Sequence, residues 1–321
     1  MAKSLLESGR FNITAISRPE STSELPPSIK VARASNDDHD ALVSALRGQD
    51  ILLITLSVTA PPDTEKKLIQ AAADAGVPWV IPNHWGFDVD VEGVVKDIPG
   101  SDKIQKARDD IAAAGVSSSI SIATGFWYEW SLAIPPSYGF DFPSKTATFF
   151  DDGKTAISTS TWPQVGRAVT ALLSLPIKPE DGNTERCLEH FKDQFVYVNS
   201  FTVSQKDMFE SVLRVTGDKP EDWTINKEPA KERHASAAKA LQGGERMAYV
   251  RMMYTRIFYD DGCGNFEARR GVSNEMLGLP KEDLDEATAR AIERADSDPW
   301  ASSKLVHDRM EQAKKGIEVA I

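Results

Sequence analysis

Residues 50–57, DILLITLS, form an almost continuous apolar run that decides the fold. Such a run is typical of a strand that is buried on both faces, as in a parallel sheet. Helices are predicted on either side, over residues 39–47 and 63–75, and a glycine follows each of them, Gly48 or Gly76. Strands and helices therefore alternate around this run, which indicates an open parallel α/β sheet.

Upstream, the chain has a short predicted helix from Ala2 that Gly9 ends, and then a strand over residues 11–17 followed by Arg18. This order is the second half of a βαβ dinucleotide-binding unit, whose first strand and glycine loop precede the helix. The numbered residues contain neither. We therefore expect a doubly wound, Rossmann-like sheet that lacks its first strand. Two neighbouring strands should then have unpaired backbone groups, at ~1–3 kcal/mol for each buried one.

After Arg18, the pattern of apolar residues predicts further strands and helices up to about residue 216. Strands are expected over residues 29–33, 77–82, 119–125 and 194–200, and helices over 102–114, 164–173 and 205–216. An Asp-Asp-Gly turn at 151–153 predicts a hairpin of residues 145–150 with 156–160. From about residue 228 the chain reads as mostly helical. We expect a dinucleotide-binding domain over residues 1–150 and a smaller, mostly helical substrate domain over 151–321, some of whose segments return to the first domain.

Composition excludes several classes of function. The 321 residues carry 37 Lys and Arg against 48 Asp and Glu, and this net charge of −11 disfavours a nucleic-acid partner. The two cysteines form no disulfide framework and no metal-ligand pattern. The longest apolar run is too short to span a membrane, and there is no apolar signal region. We therefore expect a cytoplasmic protein that acts on a small molecule, without a metal.

Polar residues at predicted strand ends are the candidates for cofactor binding, because ligands of open α/β sheets lie at the carboxyl ends of strands. An arginine at the position of Arg18 suits the 2′-phosphate of NADP(H), with Ser21 and Thr22 nearby. An ordinary surface arginine is the alternative. The remaining candidates follow the next two buried strands and are Thr55, Leu56, Ser57, Pro82, Asn83 and Trp85.

Lysines are the candidate proton donors. No tyrosine is followed four positions later by lysine, so the usual dehydrogenase relay cannot be placed. Lys103 and Lys106 lie on one face of the predicted 102–114 helix, and a partly desolvated lysine can serve as an acid or base. The alternative, two solvated surface lysines, is favoured by the sequence alone. His84 has no carboxylate to orient it nearby in sequence, and we do not assign it as the acid.

An aromatic block follows the predicted strand over residues 119–125. It contains Phe126, Trp127, Tyr128 and Trp130. These rings could form one wall of a pocket for a flat, apolar substrate. Equally, they could pack the second domain against the first.

Several segments resemble the NmrA-like and isoflavone-reductase-like proteins, which are atypical short-chain dehydrogenases. They are residues 5–22, 45–57, 71–86 and 161–176, and residues 124–132 look like the fungal members in particular. The resemblance implies that Trp85 takes the position of the aromatic residue that lies against the nicotinamide. It also places the family lysine at Lys106 or Lys103. The family's glycine loop would precede Ala2.

The resemblance leaves two expectations for function. In the first, the numbered sequence is a piece of an NADP-dependent reductase of a small aromatic or conjugated metabolite. In the second, the protein is a non-catalytic, NmrA-type dinucleotide sensor or regulatory binding protein. Because the pyrophosphate normally rests on the glycine loop, we expect these residues alone to bind the cofactor weakly or not at all.

Overall fold

A computed structural model describes residues 1–57, 60–180, 182–245 and 247–297. Its strands are β1 Thr14–Ser17, β2 Lys30–Arg33, β3 Ile51–Leu53, β4 Trp79–Ile81, β5 Ser118–Ala123, β6 Phe126–Trp127, β7 Phe140–Asp141, β8 Thr146–Phe150, β9 Ile157–Ser160, β10 Gln194–Tyr197, β11 Phe201–Val203 and β12 Thr224–Glu228. Its α-helices are α1 Ala2–Glu7, α2 His39–Leu46, α3 Thr64–Ala75, α4 Glu92–Asp97, α5 Lys103–Ala114, α6 Tyr128–Leu132, α7 Pro135–Tyr138, α8 Trp162–Leu173, α9 Gln205–Thr216, α10 Ala230–Gln242, α11 Ala248–Ile257, α12 Phe266–Arg270 and α13 Leu284–Asp296.

The main sheet is parallel and has helices on both faces. Its strand order is β10-β5-β4-β3. Side chains alternate between the faces, so that Val80 packs with α2, α3 and α5 whereas Trp79 and Ile81 pack with α1 and α8. This arrangement confirms the predicted doubly wound fold.

Strands β1 and β2 form a separate parallel pair. Within the described residues, β1 pairs only with β2, and β3 pairs only with β4. The expectation that two strands would each lack a partner on one side is therefore confirmed. Side-chain packing connects the two sheets, because Ile16 of β1 contacts the apolar cluster that contains Leu52 of β3 and Leu42 of α2.

Two small sheets and several helices surround a second apolar core. One sheet has the order β11-β9-β6 and the other β12-β8-β7. The core between them contains the fully buried rings of Tyr128, Tyr138 and Phe258. Strand β10, which lies between β9 and β11 in the sequence, pairs with β5 in the main sheet. Both parts of the chain therefore contribute to the main sheet.

The predicted hairpin of residues 145–150 with 156–160 is wrong. Strand β8 pairs with β7 and β12, whereas β9 pairs with β6 and β11. The turn between them bonds elsewhere, because Asp151 N donates to Glu228 O and the Asp151 carboxylate accepts from Ala230 N. These bonds hold the turn against β12 and α10, and the chain continues into a different sheet.

Beyond β12 the described chain is mostly helical, as predicted, with α10 to α13. The prediction for residues 298–321 lies outside the described residues. None of the described helices has the length and apolar character needed to cross a membrane.

Candidate cofactor and active site

Hydrogen bonds join the segments that follow β3 and β4. The Asn83 side-chain oxygen accepts from Leu56 N at 3.0 Å, and Trp85 Nε1 donates to Ile54 O at 3.0 Å. Four residues from the two segments thus form one connected surface. It includes the predicted cofactor residues Leu56, Asn83 and Trp85.

The segment after β5 joins the same surface through Gly86. Its carbonyl accepts from both Thr124 N and Gly125 N at 3.0 Å. Gly125 has a φ of +65°, and a Cβ there would lie 2.1 Å from Ser158 O. Only glycine combines this positive φ with so close an approach of two backbones. Gly125 therefore fixes how the chain turns from β5 into β6.

Two arginines lie at the ends of β1 and β2. Arg18 follows β1 and has its Nε 3.6 Å from the carboxylate of Glu20. Arg33, which was not among the predicted site residues, is in register with Ser17 and donates to Ser17 Oγ and to the carbonyls of Arg18 and Ser21, each at 3.0 Å. Arg33 thus organises the loop that carries Arg18.

The other predicted cofactor residues differ in exposure. Thr22, Thr55 and Ser57 are exposed, whereas Pro82 is buried. The signal that could have found Arg33 is its position at the end of the strand that neighbours β1, because parallel strands end at the same edge.

The two candidate lysines lie in the first turns of α5 and are exposed. The Lys106 ammonium is 2.5 Å from Asp102, and this hydrogen bond lowers the pKa of the Asp102 carboxyl. Lys103 acts on a different group, Glu65, whose pKa is raised by burial while the positive charge of Lys103 opposes that rise. Glu65 also accepts from Asn83 N at 2.7 Å. The charge of Lys103 is the smallest of the influences on Glu65, after burial, the hydrogen bond from Asn83 N and the charge of Asp110.

His84 is buried beside β10. Its ring meets the ring of Phe195 edge-on with centroids 5.7 Å apart, and its Nε2 has no hydrogen-bond partner in the described part of the chain. Burial, together with the nearby charge of Arg108, lowers the pKa of His84 to about 4. The imidazole is therefore neutral near pH 7 and cannot donate a proton as an imidazolium, which agrees with leaving His84 out of the acid role.

The aromatic block divides between the core and the surface. Phe126 stacks on Tyr254 with centroids 3.9 Å apart, and the Tyr128 hydroxyl lies 2.8 Å from Thr288 Oγ1. Both rings are buried in the second core, where burial raises the pKa of Tyr128. Trp127 and Trp130 are only half-buried. Of the block, these two are the rings that could contact a substrate.

Within the residues that the structure describes, no three His, Cys, Asp or Glu side chains cluster closely enough to hold a metal ion.

Known proteins are similar to this chain in sequence and in fold. Residues 1–114 match the NAD(P)H-binding family model. The Aspergillus flavus protein named oxidoreductase aprR is 27% identical over 290 residues, which is 88% of this chain and 91% of that protein.

Solved structures show the same fold. The crystal structure of isoflavone reductase superposes with a TM-score of 0.67 at 17% identity and covers 89% of this chain and 92% of its own. AtPrR2, solved with NADP+ and (+)-pinoresinol, superposes with a TM-score of 0.67 at 15% identity and the same coverage. The family match and the fold identify residues 1–114 as an NAD(P)H-binding domain within a chain that has the isoflavone reductase fold.

Proposed function

We propose that this protein is an NADP-dependent reductase of a small aromatic or conjugated metabolite. The observation that carries the proposal is Arg18, which follows β1 in an NAD(P)H-binding domain, on a loop that the hydrogen bonds of Arg33 hold in place. Arginine at this position accommodates the 2′-phosphate that distinguishes NADPH from NADH. The similarity to a protein named as an oxidoreductase supports a redox role.

The connected surface after β3 and β4 would hold the rest of the cofactor. Residues 55–57 and 82–85 line the strand ends, and the resemblance assigns Trp85 to the nicotinamide. The Trp85 indole is held in place by its hydrogen bond to Ile54 O. When bound, the nicotinamide supplies a hydride to an electron-poor carbon. Trp127 and Trp130 would contact the aromatic part of the substrate.

A lysine of α5 would supply the proton, directly or through a water molecule. The resemblance allows either Lys103 or Lys106. Lys106 is engaged by Asp102 and its side chain is 71% exposed, which favours a solvated ion pair. In the described part of the chain no carboxylate lies within ion-pair distance of Lys103, and its charge is the smallest influence on the pKa of Glu65, whose carboxylate holds the backbone of Asn83. We therefore assign the proton-supplying role to Lys103 ahead of Lys106.

Alanine substitution of each lysine tests this assignment. Lys103→Ala should lower the turnover of aromatic enones and ketones by about 10²–10⁴-fold, the usual effect of losing a general acid, with little change in the NADPH dissociation constant. Lys106→Ala should have a mild effect. Lys66→Ala is the matched control, because Lys66 is an exposed lysine on α3 that pairs with Asp110. The reverse ranking would transfer the role to Lys106.

The exposure of both lysines also favours the second candidate function, a dinucleotide sensor without chemistry. The turnover measurements on the wild-type protein and the lysine variants also distinguish the reductase from the sensor. A wild-type protein that binds NADPH but reduces none of the aromatic enones and ketones would replace the reductase with the sensor. Lysine variants that both keep full turnover would instead remove the two lysines from the proton-supplying role.

A further inference from the structure

A large groove lies between α1, α8 and α13, and we call it the α13 groove. Its volume is about 990 Å³, and its lining includes Trp162 and Pro163 at the start of α8 and Leu277 and Pro280 of the loop before α13. This volume is at the upper end of the range of small-molecule pockets, roughly 300–1,000 Å³. Most of the exposed lining surface is apolar, and the charged residues in it are Lys3, Glu7, Glu129, Arg167, Arg290, Glu293 and Arg294.

Trp162 provides an aromatic surface in the groove. It is the first residue of α8, and its backbone N–H donates to the buried carboxylate of Glu129 at 3.1 Å. The side chain nevertheless remains 39% exposed. Trp127 packs against it edge-on, with ring centroids 6.3 Å apart. The indole is therefore held in place by its neighbours while it remains accessible to a ligand.

Two arginines in the groove already have carboxylate partners. Arg290 Nε is 3.2 Å from the Glu129 carboxylate, and a terminal nitrogen of Arg167 is 2.5 Å from Glu282. These contacts neutralise both positive charges within the protein. Neither arginine needs a ligand.

Arg294 is different. Its guanidinium lies 4.5 Å from the ring centroid of Trp130 and 4.9 Å from that of Trp162. In the described residues no carboxylate lies within ion-pair distance of it, and its buried Nε has no hydrogen-bond partner. Burial lowers the pKa of Arg294, and the charge of Glu129 opposes that shift without forming an ion pair. A partly buried guanidinium that contacts no carboxylate favours binding of an anion.

We infer that the α13 groove binds a flat aromatic carboxylate, whose carboxylate pairs with Arg294 and whose ring packs on Trp162. A guanidinium and a carboxylate match in shape and charge, and the indole offers a planar apolar surface. The groove does not include the residues assigned to the cofactor. Arg294 and Trp162 do pack on Trp130 and Trp127, which the proposed function assigns to the substrate, so the inference is tested in the absence of cofactor.

Titration of the full chain with 2-naphthoate, without any cofactor, tests the inference. The matched probe is 2-naphthylmethanol, which has the same rings but no charge. Calorimetry should show naphthoate binding at least about tenfold more tightly than the alcohol, as expected for a hydrogen bond between charged groups. Arg294→Gln should abolish that preference, Trp162→Leu should weaken both probes, and Arg47→Gln, a change at an exposed arginine after α2, should leave both unchanged.

Equal affinities for the two probes, or a preference that survives Arg294→Gln, would overturn the inference. If Arg294→Gln loses its cooperative thermal transition, Arg294→Lys replaces it, because lysine keeps the charge but not the planar fork. That variant should bind naphthoate several-fold more weakly, and unchanged affinity would count against Arg294. A parallel NADPH titration distinguishes failure of this inference from failure of the proposed function.

Discussion

Arg33 shows how a single side chain can prepare a site in which another residue makes the contact. Its guanidinium bonds to a hydroxyl and two carbonyls around the end of β1. Those bonds fix the loop from which Arg18 extends. Arg33 is therefore a positioning residue for the loop, whereas Arg18 is the residue whose charge should select the cofactor.

Arg18→Glu should reverse the preference for NADPH over NADH. The substitution removes a partner of the 2′-phosphate and introduces an acceptor for the 2′-hydroxyl of NADH. The NADPH dissociation constant should rise about tenfold or more, on the scale of a lost hydrogen bond between charged groups. Fluorescence titration with both cofactors measures the change.

The control is Arg47→Glu, which makes the same charge change at an exposed position. Arg47 follows the carboxyl end of α2, and crossover helices run back to the amino edge of the sheet, away from the cofactor. Equal effects of the two substitutions would show that net charge, and not the site of Arg18, governs binding.

At the scale of elements, the turn from β5 to β6 depends on Gly125. Gly125→Ala should destabilise the protein by two effects, a positive φ and a clash with Ser158 O. Gly115→Ala isolates the first effect, because Gly115 has a similar φ of +68° and a methyl group there would meet no atom within 4 Å. We expect ~1–2 kcal/mol for Gly115→Ala.

The clash should add a further ~1–3 kcal/mol for Gly125→Ala, because neither backbone can move freely. Urea unfolding of the two variants measures the difference. Equal midpoints for the two variants would mean that the contact with Ser158 O relaxes at no cost. The glycine would then be required only for its φ.

The helices and parallel strands could be predicted because local signals define them. Helix α9 coincides with its prediction over residues 205–216, and Gly76 ends α3 in the left-handed conformation. Strand β3 is shorter than its apolar run, which continues past Leu53 into the segment that carries Leu56. An apolar run indicates which residues are buried, and in this chain Ile54 is buried although it lies beyond Leu53, the last residue of β3.

Strand pairing and the choice of site residues could not be predicted in the same way. The turn at 151–153 has the composition of a hairpin turn, but its bonds to Glu228 and Ala230 come from residues about 80 positions away. The aromatic block likewise divides because Phe126 and Tyr128 meet Tyr254 and Thr288 from distant helices. Such long-range partners leave no local pattern in the sequence.

At the scale of the whole molecule, the first and second halves of the chain meet around His84. The histidine follows β4, and the ring that packs against it, Phe195, belongs to β10, which returns from the second half and pairs with β5. His84 is only 3% exposed. Its burial therefore depends on β10 being in place, and its protonation should be coupled to unfolding.

This coupling predicts a loss of stability in acid. Because the pKa of His84 falls from 6.5 to about 4 on folding, its contribution is fully present above pH 6.5 and is lost as the pH falls toward 4. In that window the unfolded chain binds a proton that the folded protein does not. The loss from this group amounts to about 3 kcal/mol. Urea unfolding between pH 7 and pH 4 measures it.

His84→Leu should make the stability profile shallower between pH 6.5 and pH 4, because leucine keeps an apolar side chain at the buried position and does not titrate. His234, whose pKa burial also lowers, keeps its own share of the acid loss in both proteins. His190→Leu removes an exposed histidine and should keep the wild-type profile. Glu65 and Glu129 have a pKa raised by burial and therefore favour the folded state in acid, but they are unchanged in both variants and do not affect the comparison. If the His84→Leu and wild-type profiles run parallel, the imidazole is not buried in its neutral form, and β10 does not enclose it.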